Sequence, residues 1–184
     1  MMRLKNTAGF SFVELMTVIA IIGIMSAIAL PYLISGQPQR RLKAAARDMY
    51  SAMQQARLLA VKNNQDVAVR FGADFYYIDE DNDGVHDSGE SRIDLLPQYH
   101  DVEFGNGTAS MSQAELDSIG ANSAVNASFI TFIPAGTAEF APDPMTGDNT
   151  VYFQNTNNPS ERFAVSVQMS GSVKTSWYDG NEWK

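Results

Sequence analysis

Residues 9–31 read GFSFVELMTVIAIIGIMSAIALP, and this stretch decides the architecture. At about 1.5 Å per residue, the 21 residues from Phe10 to Leu30 span roughly 30 Å as a helix, the thickness of a bilayer's hydrocarbon core. A membrane-spanning helix is the natural expectation. A secretory signal fits worse, because the apolar run is too long and no small-x-small cleavage site follows it. One charge interrupts the run. Glu14 sits where an ionised side chain costs about 2.5–3.5 kcal/mol, so it needs a partner. Pro31 removes one helix hydrogen bond and crowds the preceding turn. That predicts a kink or a locally unwound turn, or else the end of the helix, and Gly36 and Pro38 favour an interruption as well.

Upstream lies MMRLKNTAG, which carries Arg3 and Lys5 and no acid. This basic leader, the Gly9-Phe10 junction, the position of Glu14 and the apolar tail together resemble the cleavage-and-methylation motif of type IV pilins and type II secretion pseudopilins. The resemblance covers about the first 30 residues. It implies removal of residues 1–9 by a prepilin peptidase/N-methylase, which cuts after Gly9 and methylates the new amino terminus of Phe10. It further implies a segment 10–34 that anchors the chain in the membrane and drives assembly, with Glu14 and Pro31 as its assembly residues. Residues 35–184 would then form a periplasmic head. The physics is consistent with this. A carboxylate in lipid is stabilised by a cation close by, and the freed Phe10 amine, of a neighbour or of the same chain, is such a cation. Arg40, Arg41, Lys43 and Arg47 follow the span, against the usual excess of basic residues in the cytoplasm. The motif nevertheless implies a cytoplasmic N-terminus. The basic cluster then meets lipid headgroups, meets acids on a neighbouring subunit, or forms a solvated helix face.

From Arg40 to Lys62 the pattern stays helical, with Leu42, Ala45, Met49, Ala52, Ala56 and Leu59 at three- and four-residue steps and Asn63-Asn64 as a stop. Beyond Asn64 the period shortens. Strands are expected at 66–71, 75–78, 91–96, 102–104, 129–133, 151–153, 163–169 and 172–178, with a short helix around 113–119 and a turn-rich stretch holding Gly136, Pro142, Pro144 and Gly147. The expected fold is α+β. A long N-terminal helix, half transmembrane and half amphipathic, packs on an antiparallel β-sheet head, as in the type IV pilin fold. The strand-rich tail with its Gly171 hairpin is similar to the GspH/FimT branch of minor pseudopilins.

The second motif runs from Asp79 to Glu90. Asp79-x-Asp81-x-Asp83-Gly84, five further residues and Glu90 match the calcium-loop pattern of EF-hand proteins, although no flanking helices are expected. Calcium takes six to eight oxygens at about 2.3–2.6 Å. Asp79, Asp81 and Asp83 would direct side-chain oxygens inward, Val85 would offer its carbonyl, Asp87 would act directly or through water, and Glu90 would close the site. Magnesium suits such an all-protein cage less well. A structural Ca2+ is the expectation. The alternative is a solvated acidic loop without metal.

Composition narrows the remaining choices. The 184 residues include 45% apolar residues, 21 acids against 13 bases, and no cysteine. Disulfides and thiolate metal sites are excluded. A net charge of -8 disfavours nucleic acid as a general partner, and six of the acids fall within 79–90. The two histidines, His86 and His100, make no convincing acid–base pair or zinc site, and no nucleophile elbow or phosphate loop is present. Trp177, Tyr178 and Trp183 form either an aromatic patch or edge packing. The expected function is structural, not enzymatic: a minor pilin or pseudopilin of a type IV pilus or type II secretion pseudopilus. Its partners would be other subunits and an inner-membrane assembly platform. The alternatives are a filament-associated binding module for DNA uptake or adhesion, and a major pilin.

Overall fold

The computed structural model describes residues 10–105, 113–121, 127–140, 148–158 and 160–184, and it divides the chain into one unit up to Gln37 and another from Pro38 to Lys184. The first unit holds α1 (Phe12–Ser35). Its side chains from Phe12 to Pro31 are exposed, and its Phe12–Pro31 segment is long and apolar enough to cross a membrane. Pro31 lies inside α1, which continues to Ser35; the turn falls at Gly36. Pro31 therefore does not end the helix.

In the second unit, α2 (Gln37–Asn63) is rich in Ala, Gln, Arg, Leu and Met, which lose little rotamer freedom in a helix. Asn64 closes it at φ 54°, a left-handed position that asparagine tolerates. One face is buried: Leu42, Ala45, Ala46, Met49, Ala52, Met53, Ala56 and Ala60. The many alanines let the backbone approach a sheet closely. That sheet has the order β3-β2-β1-β5-β6, built from β1 (Val67–Phe71), β2 (Phe75–Asp79), β3 (Arg92–Asp94), β5 (Phe129–Phe132) and β6 (Ala138–Phe140), with every pair antiparallel. Val67, Val69, Tyr76, Ile78, Ile130 and Phe132 join the α2 residues in one core cluster.

A second antiparallel sheet, β4-β7-β8-β9, consists of β4 (Val102–Phe104), β7 (Thr150–Asn155), β8 (Arg162–Val167) and β9 (Val173–Tyr178). Period-two alternation gives it two buried faces. Val151, Phe153, Val165 and Val167 enter the α2 core, whereas Tyr152 and Ala164 pack with Leu116, Ile119 and Ala121. The latter group belongs to α4 (Gln113–Ile119) and the turn after it. Ser166 Oγ donates to the Ile119 carbonyl at 2.7 Å, and Asn149 Nδ2 donates to that of Gly120 at 2.9 Å, so α4 is held on this face.

Two arginines of α2 fasten the layers. Arg41 grips buried Asp101 with two bonds, Nε–Oδ1 at 2.6 Å and Nη2–Oδ2 at 2.7 Å. This base, which the sequence grouped with a solvated or lipid-facing cluster, is a structural clamp. Arg57 donates to the carbonyls of Gly136 and Ser170 at 2.8 and 3.2 Å, joining two turns. Gly171, at φ 75°, is required there, because a Cβ would stand 2.0 Å from the Gly136 oxygen.

The strands at 67–71, 75–79, 102–104, 129–132, 150–155, 162–167 and 173–178 follow the expected alternation. The expected strand at 91–96 is shorter, because the chain passes at Leu95 into a single turn, α3 (Leu95–Gln98). β6 was not anticipated; it follows Gly136 in the turn-rich stretch, whose Pro142, Pro144 and Gly147 lie outside the described residues.

Candidate functional site

The N-terminal helix comes first. Phe10 is 84% exposed, and Glu14 stands in the first turn of α1. Gly9, Arg3 and Lys5 lie outside the described residues. Thr17 donates its hydroxyl to the Val13 carbonyl at 2.8 Å, so this hydroxyl is satisfied within its own helix. Glu14 has no such partner among the described residues, which show no ion pair to it. A helix this apolar, exposed on every face, requires lipid or other helices around it.

The acidic loop connects β2 to β3, not two helices. Asp79, the last residue of β2, is fully buried. Its Oδ1 accepts from the Asp83 N–H at 3.1 Å, and its Oδ2 accepts from the Gly84 N–H at 2.9 Å and from Arg70 Nε at 2.5 Å. Asn82 (φ 57°) and Gly84 (φ 89°) take left-handed conformations that wrap the chain back onto this carboxylate. Asp83 Oδ1 accepts from the Val85 N–H at 2.7 Å. The outcome is a cluster in which one carboxylate oxygen each from Asp79, Asp81 and Asp83 lies within 4.8 Å of the others. Opposite oxygens around one calcium ion stand about 4.6–5.2 Å apart, twice the metal–oxygen distance, so this donor set fits the ion in chemistry and spacing. Asp81 registers the crowding. Lost hydration and the charge of Asp83 raise its carboxyl above the usual aspartate value.

The other three positions of the calcium pattern are placed differently. Glu90 spends both oxygens on the loop backbone, accepting from the N–H groups of Glu80 and Asp87 at 2.8 Å each. Val85 and Asp87 are exposed and lie outside the three-carboxylate cluster. Two residues that the sequence reading passed over hold the loop. Arg70 of β1 bridges Asp79 and, at 3.0 Å, Asn82 Oδ1, with its guanidinium 5.0 Å from the Phe129 ring centre. Tyr77 donates to the Gly84 carbonyl at 3.1 Å. The available signal was a lone base in an otherwise apolar strand, just ahead of an acidic loop.

The aromatic C-terminus is mostly packing. Trp183 meets Tyr152 and Tyr178 edge-on or tilted. Trp177, half-buried, lines a cleft of about 400 Å³ together with Phe163, Arg40 and Lys43.

Comparison with known proteins agrees with this fold. A family model described as type II transport protein GspH matches residues 45–171, and a prokaryotic N-terminal methylation motif matches residues 4–30. No curated protein sequence matches the chain. Among solved structures, the chain is similar to the type IV minor pilin FimU of Pseudomonas aeruginosa, with a TM-score of 0.53 and 15% identity over 79% of this chain and 94% of that one. It is also similar to the minor pseudopilin EpsH of the Vibrio cholerae type 2 secretion system, with a TM-score of 0.46 and 13% identity over 73% and 95% of the two chains. The FimU likeness shows a pilin fold, and the GspH match covers more than half of the chain. The chain therefore belongs to the GspH family of type II transport proteins, as a membrane-anchored structural subunit of pilin or pseudopilin type and not an enzyme.

Proposed function

We propose that the subunit is inserted in the inner membrane with its N-terminus cytoplasmic and its head periplasmic, is cut after Gly9 and methylated at Phe10, and is then drawn by an assembly platform into a filament. The observation that carries this reading is a 24-residue apolar helix, exposed from Phe12 to Pro31, with a single acid, Glu14, in its first turn and within a matched methylation motif. The isolated subunit bears the desolvation of Glu14 alone. In a filament, the Phe10 amine of a neighbour lies within reach of that carboxylate, and each charge relieves the other. Intact-mass measurement of the native chain tests the processing step. The expected result is loss of residues 1–9 and one added methyl group; a retained leader refutes it. Glu14→Gln tests the assembly step. It removes the charge and with it at most about 2.5–3.5 kcal/mol of insertion cost, so membrane levels hold or rise while filament recovery falls tenfold or more. Equal recovery refutes the pairing.

We propose as well that the 79–90 loop holds a structural calcium ion. Asp79, Asp81 and Asp83 would supply the converging carboxylates, and the Val85 carbonyl, Asp87 and Glu90 are the remaining donors of the pattern. The bound ion would supply positive charge that offsets repulsion among the acids. Calcium-dependent melting of the chain, treated in the Discussion, is the test.

A further inference from the structure

Tyr76 lies within β2 and is 1% exposed, and its hydroxyl has no hydrogen-bond partner among the described residues. Buried hydroxyls are almost always matched, so an unmatched one calls for an explanation. The residue borders a notch of about 170 Å³ walled by Asp48, Ser51, Ala52 and Gln55 of α2 and by Ile93 of β3. The four helical positions share one face through their three- and four-residue spacing. The Asp48 carboxylate accepts a hydrogen bond from the Tyr99 hydroxyl, which orients it, but it has no ion pair among the described residues. Burial, then the charge of Asp48, holds the Tyr76 hydroxyl well above its usual ionisation range, so it stays protonated beside that carboxylate.

We propose that this notch receives the lysine or arginine side chain of a neighbouring pilin-type subunit. Asp48, Ser51 and Gln55, all exposed, line it together with buried Tyr76, and no cation lines the notch. Such an acceptor-rich site suits a group with three to five N–H donors and a positive charge. An anion is repelled by Asp48. A calcium ion needs six to eight oxygens, and the notch has a single carboxylate. This chain itself shows that a pilin-type subunit can supply the cation. Arg40, Lys43 and Arg47 of α2 are exposed and form no ion pair among the described residues, so a subunit built alike presents both halves of the contact. The proposal rests on the assembly reading above and adds to it a specific lateral contact.

The test uses the full chain in its native host. Asp48→Asn keeps an acceptor for Tyr99 and removes the charge. Ser51→Arg, at an exposed rim position, fills the notch with a cation of the chain's own. Each variant lowers recovery in the filament roughly fivefold or more, while the level of processed membrane subunit and the melting temperature match the parent. Because Ser51 is an exposed position, its variant keeps the test open if Asp48→Asn destabilises the fold. A benzophenone side chain placed at Gln55 and irradiated in the assembled state gives an adduct with a pilin-type subunit, and the attached peptide contains Lys or Arg. Normal recovery of both variants, or adducts to lipid alone as expected of a notch that holds only water, overturns the proposal. A parent chain that never enters a filament overturns this proposal and the assembly reading together; parent and variants assembling equally overturn the notch alone.

Discussion

Replacing Arg70 with methionine tests the electrostatics of the acidic loop directly. The substitution keeps most of the side chain's apolar bulk against Phe129 and removes the guanidinium from fully buried Asp79. Severing a buried ion pair costs about 3–5 kcal/mol when the remaining charge is left bare. Asp79 is not left bare, because the Asp83 and Gly84 N–H groups still point at it. Arg70 is also 23% exposed, so water reaches the vacated side. These two facts reduce the expected loss to about 2–3 kcal/mol, near the value of one hydrogen bond to a charged group. For a chain of this size, that lowers the melting temperature by about 4–12 °C. Calcium adds a second arm. A divalent ion at Asp79, Asp81 and Asp83 takes over the neutralising role of Arg70, so the penalty measured in EDTA shrinks to about 1 kcal/mol or less in millimolar calcium. The assay is thermal unfolding of the detergent-solubilised chain by circular dichroism, parent against Arg70→Met, in EDTA and in calcium. A loss below about 1 °C in EDTA refutes the claim that the pair neutralises Asp79. A penalty that calcium leaves unchanged refutes the coupling between the arginine and the ion.

Calcium at about one hundred times its dissociation constant stabilises the parent by about 2.7 kcal/mol, a rise of roughly 5–11 °C that EDTA reverses and Asp83→Asn largely removes; an unchanged melting temperature at millimolar calcium excludes the ion. Gly171→Ala forces a Cβ to 2.0 Å from the Gly136 oxygen at φ 75°, so it lowers the melting temperature by about 5 °C or more, whereas Gly180→Ala, strained in φ but open in space, costs less. Arg41 holds the Asp101 carboxyl below its usual value through a hydrogen bond that outweighs burial. A depressed carboxylate contributes stability that is present above its unfolded value near 3.8 and is lost as pH falls through the folded one. Melting curves taken downward from pH 5 should therefore fall more steeply in the parent than in Arg41→Met, and parallel curves would count against the clamp. Met53→Ala opens a cavity in the α2 face at a position with no exposure and costs about 2–5 kcal/mol by denaturant unfolding.

Local periodicity was legible in the sequence and long-range pairing was not. The apolar run, the α2 stripe and seven strands each carry their own local pattern, and each appears where that pattern puts it. β6 sits in a stretch rich in glycine and proline, where the turn signals of Gly136, Pro142 and Pro144 outweigh three residues of alternation. The two buried faces of the second sheet show in β7 and β8 as the unbroken apolar runs 151–153 and 163–165, but nothing local says that α4 supplies the second cover. The Arg41–Asp101 clamp joins positions 60 residues apart, and Arg41 looked like one of four similar surface bases. In the acidic loop, a spacing rule located the three aspartates that converge. It did not anticipate that Glu90 would cap two backbone N–H groups or that Arg70 would reach in from β1.

The placement of charge in this molecule follows one logic in three settings. Glu14 stands in an apolar helix, the aspartates of the 79–90 loop crowd one another, and Asp48 faces a notch that no cation lines. In each case the lone subunit carries a negative charge that its own residues leave wholly or partly uncompensated. A chain selected for stability as an isolated head would replace these acids, since a neutral side chain at each position removes a cost and, among the described residues, breaks no ion pair except the one made by Asp79. Their presence makes sense if the compensating charge comes from outside: an amine at one site, a metal ion at another, a neighbour's base at the third. The sharpest consequence is a difference in sign between two measurements. Glu14→Gln and Asp48→Asn should leave the isolated subunit as stable as before, or more so, and should weaken only its incorporation into a filament. Variants that lose stability and incorporation in proportion would show instead that these acids serve the fold of the subunit itself.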